Sequence, residues 1–343
     1  MNPSVAGCAL ALCSISASAA IGSVDLATYV RVGRYDLPEP TRTAAPTGNL
    51  LAQEASAVTY NRDTGTLFIV GDGGRAITQV TTTGTLIDTM TLAEGGSPQG
   101  TFFYDPEGLT YVGGGRFAMV EERERRVHLV SYAAGTTLGA SPSGSFVKLG
   151  TTIGNNGIEG IAYDPTADIA DGLGFVAVKE SGPQGVFETR IDFGAGTATN
   201  GSPSLANAVN LFEPTLAGLA DFADVFALSA IGSLAAGPDG GHLLILSQES
   251  GRIVEIDRAG NVHSSLTIAL EDGDALTQPI SIADMNHEGL TMDERGFLYV
   301  VSENGGGDAD HPQLWVYAPS PVPLPAAGWL LMSGLFALAR RIH

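Results

Sequence analysis

Two series of acidic residues recur along the chain at positions where they could bind a metal ion. Glu107, Glu159 and Glu288 each precede a glycine and an apolar segment. A further apolar segment then ends at another carboxylate, and this second series consists of Asp72, Glu122, Glu180, Glu249 and Glu303. Carboxylates gathered in a small region repel one another unless protons or a cation intervene. Their oxygens suit a hard divalent ion, and calcium (Ca2+) is the ion that we expect.

The acidic residues belong to a repeated sequence unit. Its five copies begin at Ser56, Glu107, Glu159, Gly232 and Glu288. Successive copies start roughly 50 residues apart, with a longer interval before the fourth, and each contains strand-like apolar segments without a helical period. This pattern predicts an all-β fold, a β-propeller of five blades.

Tight turns at residues 113–115 and 293–296 predict that the two apolar segments of a copy pair antiparallel. The start of the first strand then lies beside the end of the second, so both acidic series should gather on one face of the disc. We predict seven metal ligands there: Glu107, Glu159, Glu288, Glu122, Glu180, Glu303 and Asp72. Because Ser56 and Gly232 replace glutamate in two copies, we expect an asymmetric ion site near blades two, three and five.

The propeller domain is expected to span residues 24–318. Residues 27–36 have strand character, and we expect them to close the ring by pairing into the last blade; the alternative is that they begin a sixth blade. Apolar residues also follow helical spacing after Glu213, which predicts a short helix within an insertion between Asp192 and Ser229 that covers one face or the rim. These residues are Pro214, Leu216, Leu219, Phe222 and Phe226.

Both ends of the chain have features of an exported protein. Residues 1–20 combine an apolar stretch with small residues, which predicts a signal peptide. Residues 319–343 contain the sequence VPLPA, an apolar run and Arg340-Arg341. This arrangement resembles the VPLPA variant of the PEP-CTERM sorting signal. The resemblance implies an exosortase-type sorting machinery, an inner-membrane intermediate held through the hydrophobic segment, and delivery to the cell envelope and surface. The alternative is an apolar tail docked on the domain.

Composition excludes several classes of function. The formal net charge is −20 and the chain has two lysines, Lys148 and Lys179, so a nucleic-acid-binding surface is not expected. Both cysteines, Cys8 and Cys13, lie in the predicted signal peptide. A mature chain would therefore have no disulfide, no catalytic thiol and no Cys/His zinc site.

Several motifs resemble those of the SdiA-regulated family. They are DPEGLTYVGGGRFAMVEERERRVHLV at residues 105–130, GIEGIAYDP at residues 157–165 and SGRIVEID at residues 250–257. The resemblance covers roughly residues 54–317 and implies a propeller of about five blades with calcium at an acidic site and no established reaction. The glutamates that match the family are Glu107, Glu159, Glu288, Glu122, Glu180 and Glu303. The strand motifs are also similar to the esterase-like phytase family, which implies hydrolysis.

Two functions are consistent with these observations. The first is a noncatalytic, calcium-stabilised surface propeller that binds an unknown surface or matrix ligand. The alternative is a calcium-dependent hydrolase of phosphate or carboxylic esters, with Glu159 or His287 as the base. His287 is considered because it adjoins Glu288. A purely structural role is also open, in which each glutamate accepts backbone N–H bonds and the following glycine permits close approach of neighbouring strands.

Overall fold

Five antiparallel sheets follow one another along the chain, and together they form a five-bladed β-propeller. The computed structural model describes residues 20–38, 51–139, 146–150, 157–202, 208–271, 281–305 and 311–320. The first strands of consecutive blades contact one another, and the first strand of blade 5 contacts that of blade 1. These five inner strands therefore surround the axis.

Each blade is built from four strands that run from the axis outward. Blade 1 contains Ala55–Asn61, Thr66–Gly71, Ala76–Val80 and Leu86–Leu92, with Thr137–Leu138 added in parallel. Blade 2 contains Pro106–Gly113, Arg116–Glu121, Arg126–Ser131 and Phe146–Lys148. Blade 3 contains Gly160–Tyr163, Leu173–Lys179, Gly185–Asp192 and Thr197–Ala198. Blade 4 contains Asp224–Ala227, Leu243–Ser247, Arg252–Ile256 and Val262–Thr267. Blade 5 contains His287–Met292, Leu298–Ser302, Gln313–Pro319 and Tyr29–Asp36.

The N-terminal strand closes the ring, as predicted. Tyr29–Asp36 is the outermost strand of blade 5 and pairs antiparallel with Gln313–Pro319. A strand from one end of the chain thereby completes a blade made by the other end. The described residues form five blades, so the alternative of a sixth blade is wrong.

The hydrophobic core lies between the blades. The rings of Phe68 in blade 1 and Phe117 in blade 2, for example, pack with centroids 4.6 Å apart. The glycines that follow the acidic residues allow the inner strands of neighbouring blades to pack closely against one another. A Cβ on Gly289 would lie 2.7 Å from the backbone nitrogen of Val58, and a Cβ on Gly160 would lie 2.6 Å from the Cα of Asp224. The structure therefore supports the close-approach role considered for these glycines.

Threonine hydroxyls link the inner strands of neighbouring blades, further along each strand than the acidic residues. The backbone N–H of Tyr111 donates to Thr59 Oγ1 at 3.0 Å and thereby links blade 2 to blade 1. The N–H of Tyr163 donates in the same way to Thr110 Oγ1 at 3.0 Å, linking blade 3 to blade 2. These contacts hold the strands in register around the axis.

The start of blade 4 differs from the prediction. Its inner strand is Asp224–Ala227, and Gly232 lies in the short helix Gly232–Ala235 that follows. Two 3-10 turns, Leu228–Ala230 and Pro238–Gly241, flank this helix before the second strand begins. The prediction was wrong because it assumed a tight turn, whereas blade 4 joins its first two strands through helical turns.

The predicted helix after Glu213 is shorter than expected. It is a single 3-10 turn, Pro214–Ala217, and it ends at Gly218, whose φ of 63° is left-handed. Phe226 belongs to the inner strand of blade 4 instead. The remaining 3-10 turns that the structure describes are Leu26–Thr28, Pro165–Ala167 and Ala283–Met285.

The predicted signal peptide and sorting segment lie outside the described residues, apart from Ala20, Pro319 and Ser320. Within the part of the chain that is described, no helix has the length and apolar character needed to cross a membrane.

Candidate metal centre

A cavity of about 310 Å³ opens at the axis, on the face where the inner strands begin. Eight carboxylates line it: Asp72, Asp105, Glu107, Glu122, Glu159, Glu180, Glu288 and Glu303. The other lining residues are Ser56, Arg123, Ala223, Gln248 and Asn286. The structure thus brings all seven predicted site residues together in one cavity, while their role as metal ligands stays a prediction.

β-Bulges direct two of the inner-strand glutamates. In blade 2, Pro106 pairs with Glu121 and Gly108 pairs with Val120, so Glu107 is an extra residue without a cross-strand partner. Glu288 occupies the same position in blade 5. An extra residue in a strand bends it and redirects its side chain. The bulges therefore explain how Glu107 and Glu288, which lie within inner strands, reach the axial cavity.

The second acidic series lies one residue beyond the second strand of each blade. In blades 1, 2, 3 and 5 the carboxylate directly follows the last strand residue, at Asp72, Glu122, Glu180 and Glu303. In blade 4 the corresponding residue is Gln248, which lines the cavity, and Glu249 is not among the described lining residues. Among the described lining residues, blade 4 contributes Ala223 and Gln248, which carry no charge.

Sequence reasoning missed a third position, two residues before the bulge. Asp105 and Asn286 occupy it in blades 2 and 5, and both line the cavity. Their φ values of 59° and 48° lie in the left-handed region, which Asp and Asn tolerate better than most residues. The repeated spacing of Asp105 before Glu107 and Asn286 before Glu288 is the sequence feature that could have revealed them.

Some of the carboxylates that line the cavity accept hydrogen bonds from neighbouring groups. Glu122 Oε1 accepts the backbone N–H of Gly157 at 2.9 Å, and Glu303 Oε2 accepts Asn286 Nδ2 at 2.5 Å. Glu122 is also hydrogen-bonded to Glu159, which requires a proton between the two carboxyl groups. The cavity therefore contains carboxyl groups that share protons when no cation separates them.

The described residues that line the cavity include one positively charged side chain. Arg123 pairs with Asp105, whose other oxygen accepts Gln99 Nε2 at 3.1 Å. Of the lining residues that the structure describes, Arg123 alone is cationic, against eight carboxylates. The cavity thus has a large excess of negative charge.

Three carboxylates at blades 1 and 2 have the spacing of a metal-binding group. Asp72, Asp105 and Glu107 each offer one oxygen, and these oxygens lie within 4.8 Å of one another. Asp72 Oδ1 is buried and has no hydrogen-bond partner among the described residues. A buried acceptor of this kind lacks compensation for its lost hydration, and a cation would supply it. The donor set fits calcium, which binds carboxylate and amide oxygens.

Burial and mutual repulsion raise the pKa values of the cavity carboxylates. Burial, followed by the charges of Glu288 and Glu159, raises the pKa of Glu107 well above its ordinary value. Burial, with Glu54 and Glu303 next, raises the pKa of Asp72 to about 8. Burial also raises the pKa values of Glu288, Glu159, Glu122, Glu180 and Glu303. Without a cation, the folded protein therefore retains protons here that an ordinary carboxyl group would have lost.

His287 lies away from this chemistry. It is fully buried, its ring packs edge-to-face on Trp315 at 4.6 Å, and it is not among the described residues that line the cavity. Burial, with a contribution from Arg31, lowers its pKa to about 3. His287 is thus a neutral side chain packed inside blade 5, whereas Glu159, the other residue considered as a base, faces the cavity.

Comparison with known families is consistent with this architecture. The family model described as SdiA-regulated matches residues 42–305. The chain belongs to the SdiA-regulated family. This confirms the resemblance seen in the motifs of blades 2, 3 and 4.

Solved structures also resemble this SdiA-regulated protein at low identity. Glutaminyl cyclase of Myxococcus xanthus is 11% identical, with a TM-score of 0.43, and the match covers 84% of this chain and 95% of the cyclase. A luciferin-regenerating enzyme is 12% identical, with a TM-score of 0.42 and coverage of 80% and 94%. Regucalcin of Agrobacterium tumefaciens, described as a calcium-binding protein, is 10% identical, with a TM-score of 0.40 and coverage of 78% and 90%. Similarity of this extent says nothing about the ligand of this chain.

Proposed function

We propose that this protein is a calcium-binding β-propeller that is exported, sorted to the cell surface and acts there as a rigid binding platform. The observation that carries the proposal is the axial cavity, whose lining, in the part of the chain that the structure describes, has eight carboxylates and one arginine. Repulsion at this density requires either protons or a cation. Under calcium-rich conditions outside the cell, the ion replaces the protons.

The donor set favours calcium over a transition metal. The lining residues that the structure describes offer carboxylate, amide and hydroxyl oxygens, and no histidine or cysteine. Calcium takes six to eight oxygen ligands and tolerates irregular geometry, whereas imidazole and thiolate select zinc, copper or nickel. Asp72, Asp105 and Glu107 would hold the ion from blades 1 and 2, with the remaining carboxylates and water completing its shell.

Export and sorting are supported by the sequence at the two ends of the chain. The apolar stretch within residues 1–20 and the VPLPA segment within residues 319–343 would direct the protein through an exosortase-type machinery. The platform role is supported by the fold, because a ring closed by its own N-terminal strand presents rigid loops around the acidic face. The partner is then a surface or matrix component that contacts these loops.

Calcium-dependent stability tests the proposal. Melting of the purified protein is measured in chelator and in rising calcium, since an ion bound only by the native state adds about 2.7 kcal/mol of stability at a hundredfold excess over Kd. The double variant Glu107→Gln/Glu159→Gln should lose this increase. The control Glu94→Gln/Glu213→Gln removes two exposed carboxylates outside the cavity and should keep it. An equal calcium response in both double variants would refute the axial site.

A second candidate function is calcium-dependent hydrolysis. The cavity volume of about 310 Å³ leaves room for a small molecule beside an ion, and Arg123 lies where it could contact an anionic group. Glu159 would then act as the base. Aryl phosphate and aryl ester substrates, assayed with calcium and with chelator, test this function. Turnover that needs calcium and is lost in Glu159→Gln would support it, and absence of turnover at every calcium concentration would exclude it.

A further inference from the structure

A second group of possible metal ligands lies in blade 4, apart from the axial cavity. Asp239 belongs to the 3-10 turn Pro238–Gly241, His242 follows this turn, and Glu255 lies on the third strand, Arg252–Ile256. One donor atom from each residue lies within 4.8 Å of the other two. His242 Nδ1 is 2.8 Å from Glu255 Oε1. None of these residues is among the described residues that line the axial cavity.

The surrounding hydrogen bonds orient both carboxylates. Asp239 Oδ2 accepts the backbone N–H of Val24 at 2.8 Å, and Glu255 Oε2 accepts Ser264 Oγ at 2.6 Å. Asp239 Oδ1 is thereby left for an ion, whereas Glu255 Oε1 lies beside His242 Nδ1, so an ion would replace the proton between these two atoms. Contacts of this type, which fix a ligand from behind, are characteristic of protein metal sites.

Burial adds an independent reason for a cation at this position. Glu255 is 2% exposed, and its ion-pair partner is the imidazole of His242, which is charged only when protonated. The nearby hydroxyl of Tyr29 is buried and has no hydrogen-bond partner among the described residues. Burial, followed by the charges of Asp293 and Glu255, raises the pKa of Tyr29.

Blade 2 contains a matched pair without the third ligand. His128 Nε2 lies 2.9 Å from Glu121 Oε2, and both side chains are buried. There, however, Arg126 lies 3.5 Å from the same carboxylate oxygen, and the other oxygen accepts the N–H of Tyr104 at 2.7 Å. An arginine and a backbone donor thus complete the blade 2 pair, whereas Asp239 adds a further negative charge to the blade 4 pair.

We propose that Asp239, His242 and Glu255 form a site for a divalent transition ion of the zinc class. One imidazole nitrogen with two carboxylate oxygens is a donor set that zinc accepts, with water in its remaining position. The nitrogen donor distinguishes this site from the all-oxygen cavity at the axis, so the two sites would select different ions. The proposal does not depend on calcium binding at the axis.

The site would stabilise closure of the ring. Val24 lies before, and Leu26 begins, the 3-10 turn Leu26–Thr28 that leads into the closing strand Tyr29–Asp36. The N–H of Val24 donates to Asp239, and the N–H of Leu26 donates at 2.9 Å to Ser264 Oγ, which in turn donates to Glu255. An ion held by the two carboxylates would therefore fasten the N-terminal segment to blade 4.

Zinc titration of the full chain tests this proposal. The protein is first saturated with calcium so that the axial cavity is filled, and zinc uptake is then measured by equilibrium dialysis together with Tm. We expect one further equivalent of zinc and a rise in Tm. His242→Gln should lose both, and the matched variant His128→Gln should keep both.

A second variant guards against misfolding of His242→Gln. Asp239→Asn retains an oxygen that can accept the N–H of Val24 and should weaken zinc binding at least tenfold. Absence of zinc uptake by the calcium-saturated protein would overturn the proposal and leave a histidine–carboxylate pair only. Undiminished uptake by folded His242→Gln or Asp239→Asn would overturn it as well.

Discussion

The two ends of the inner strand of blade 3, Gly160–Tyr163, carry carboxylates in opposite electrostatic situations. Glu159 precedes the strand and faces the axial cavity, where burial, then Glu122 and Glu180, raises its pKa well above its ordinary value. Asp164 follows the strand, and there hydrogen bonds and a positive charge outweigh burial, so its pKa is lowered. Glu159 is half-buried and Asp164 is buried, and the partners available to each determine the sign of the pKa shift.

The partners of Asp164 are all supplied by the protein. Its Oδ1 accepts the hydroxyls of Thr166 at 2.6 Å and Ser229 at 2.7 Å, and its Oδ2 accepts Arg258 Nη2 at 2.5 Å. Arg258 also pairs with Glu188 at 2.6 Å. This end of the strand is complete without any ion.

Blade 5 repeats the same contrast. Glu288 at the start of its inner strand faces the cavity, and burial, then Glu303, raises its pKa. Asp293 after the strand accepts Arg295 Nη2 at 2.7 Å and the N–H of Phe297 at 2.9 Å. In both blades, the carboxylate at the end of the inner strand away from the cavity is paired within the protein, and the one at the cavity end lacks the partners that would make an ion unnecessary.

The largest expected effect on stability comes from removing Arg258, the partner of Asp164 at the end of the strand away from the cavity. Arg258→Ala would leave the carboxylate of Asp164, whose side chain is 1% exposed, without its cation. Removing one partner of a buried pair costs about 3 kcal/mol or more. Urea unfolding should show this loss equally in calcium and in chelator. A loss of stability that appears only in chelator would contradict the inference that the Asp164 end of the strand needs no ion.

Replacing glutamates that line the cavity should raise the free energy of unfolding when calcium is absent, whereas Arg258→Ala should lower it. In chelator near neutral pH, the folded wild type must keep protons on carboxyl groups that would be ionised in the unfolded chain. Glu107→Gln/Glu159→Gln removes two of these groups, so the unfolding free energy should rise by about 2 kcal/mol. The same variant should be less stable than the wild type in saturating calcium. Urea unfolding under both conditions measures the reversal, and a loss of stability in chelator would argue that these glutamates are structural.

A pH series should show a smaller effect of about 1 kcal/mol. Cavity carboxylates with raised pKa values bind more protons in the folded state than in the unfolded state, so without calcium stability should fall as the pH rises toward about 8, the pKa of Asp72. Asp164 acts in the opposite direction, since its stabilising contribution is lost as the pH falls below its ordinary value of 3.8. Thermal melts between about pH 6 and pH 8.5 test the first effect. Calcium should flatten the curve, and an unchanged slope would contradict the account.

The repeated hairpins predicted most of the fold. Antiparallel pairing, five blades and closure by the N-terminal strand follow from alternating strands, short turns and the position of the glutamate–glycine units. Blade 4 could not be placed this way because Ala223 and Asp224 stand where blades 2, 3 and 5 have glutamate and glycine. Asp224 also has a different role there, since its Oδ2 accepts the N–H of Leu290 in blade 5 at 2.8 Å.

The candidate site was predicted less completely than the fold. The hairpin argument brought the seven carboxylates to one face because strand ends must meet there. It could not find Asp105, whose contribution depends on a left-handed backbone conformation and a bulge, and neither follows from strand periodicity. It also gave His287 a role suggested by its neighbour Glu288, although adjacent strand residues point to opposite sides.

Anomalous diffraction from crystals grown in millimolar calcium tests the central claim most directly. The account predicts a calcium peak inside the axial cavity, coordinated by oxygens of Asp72, Asp105 and Glu107 on the side of blades 1 and 2. A cavity without such a peak, or calcium bound only elsewhere on the protein, would contradict it.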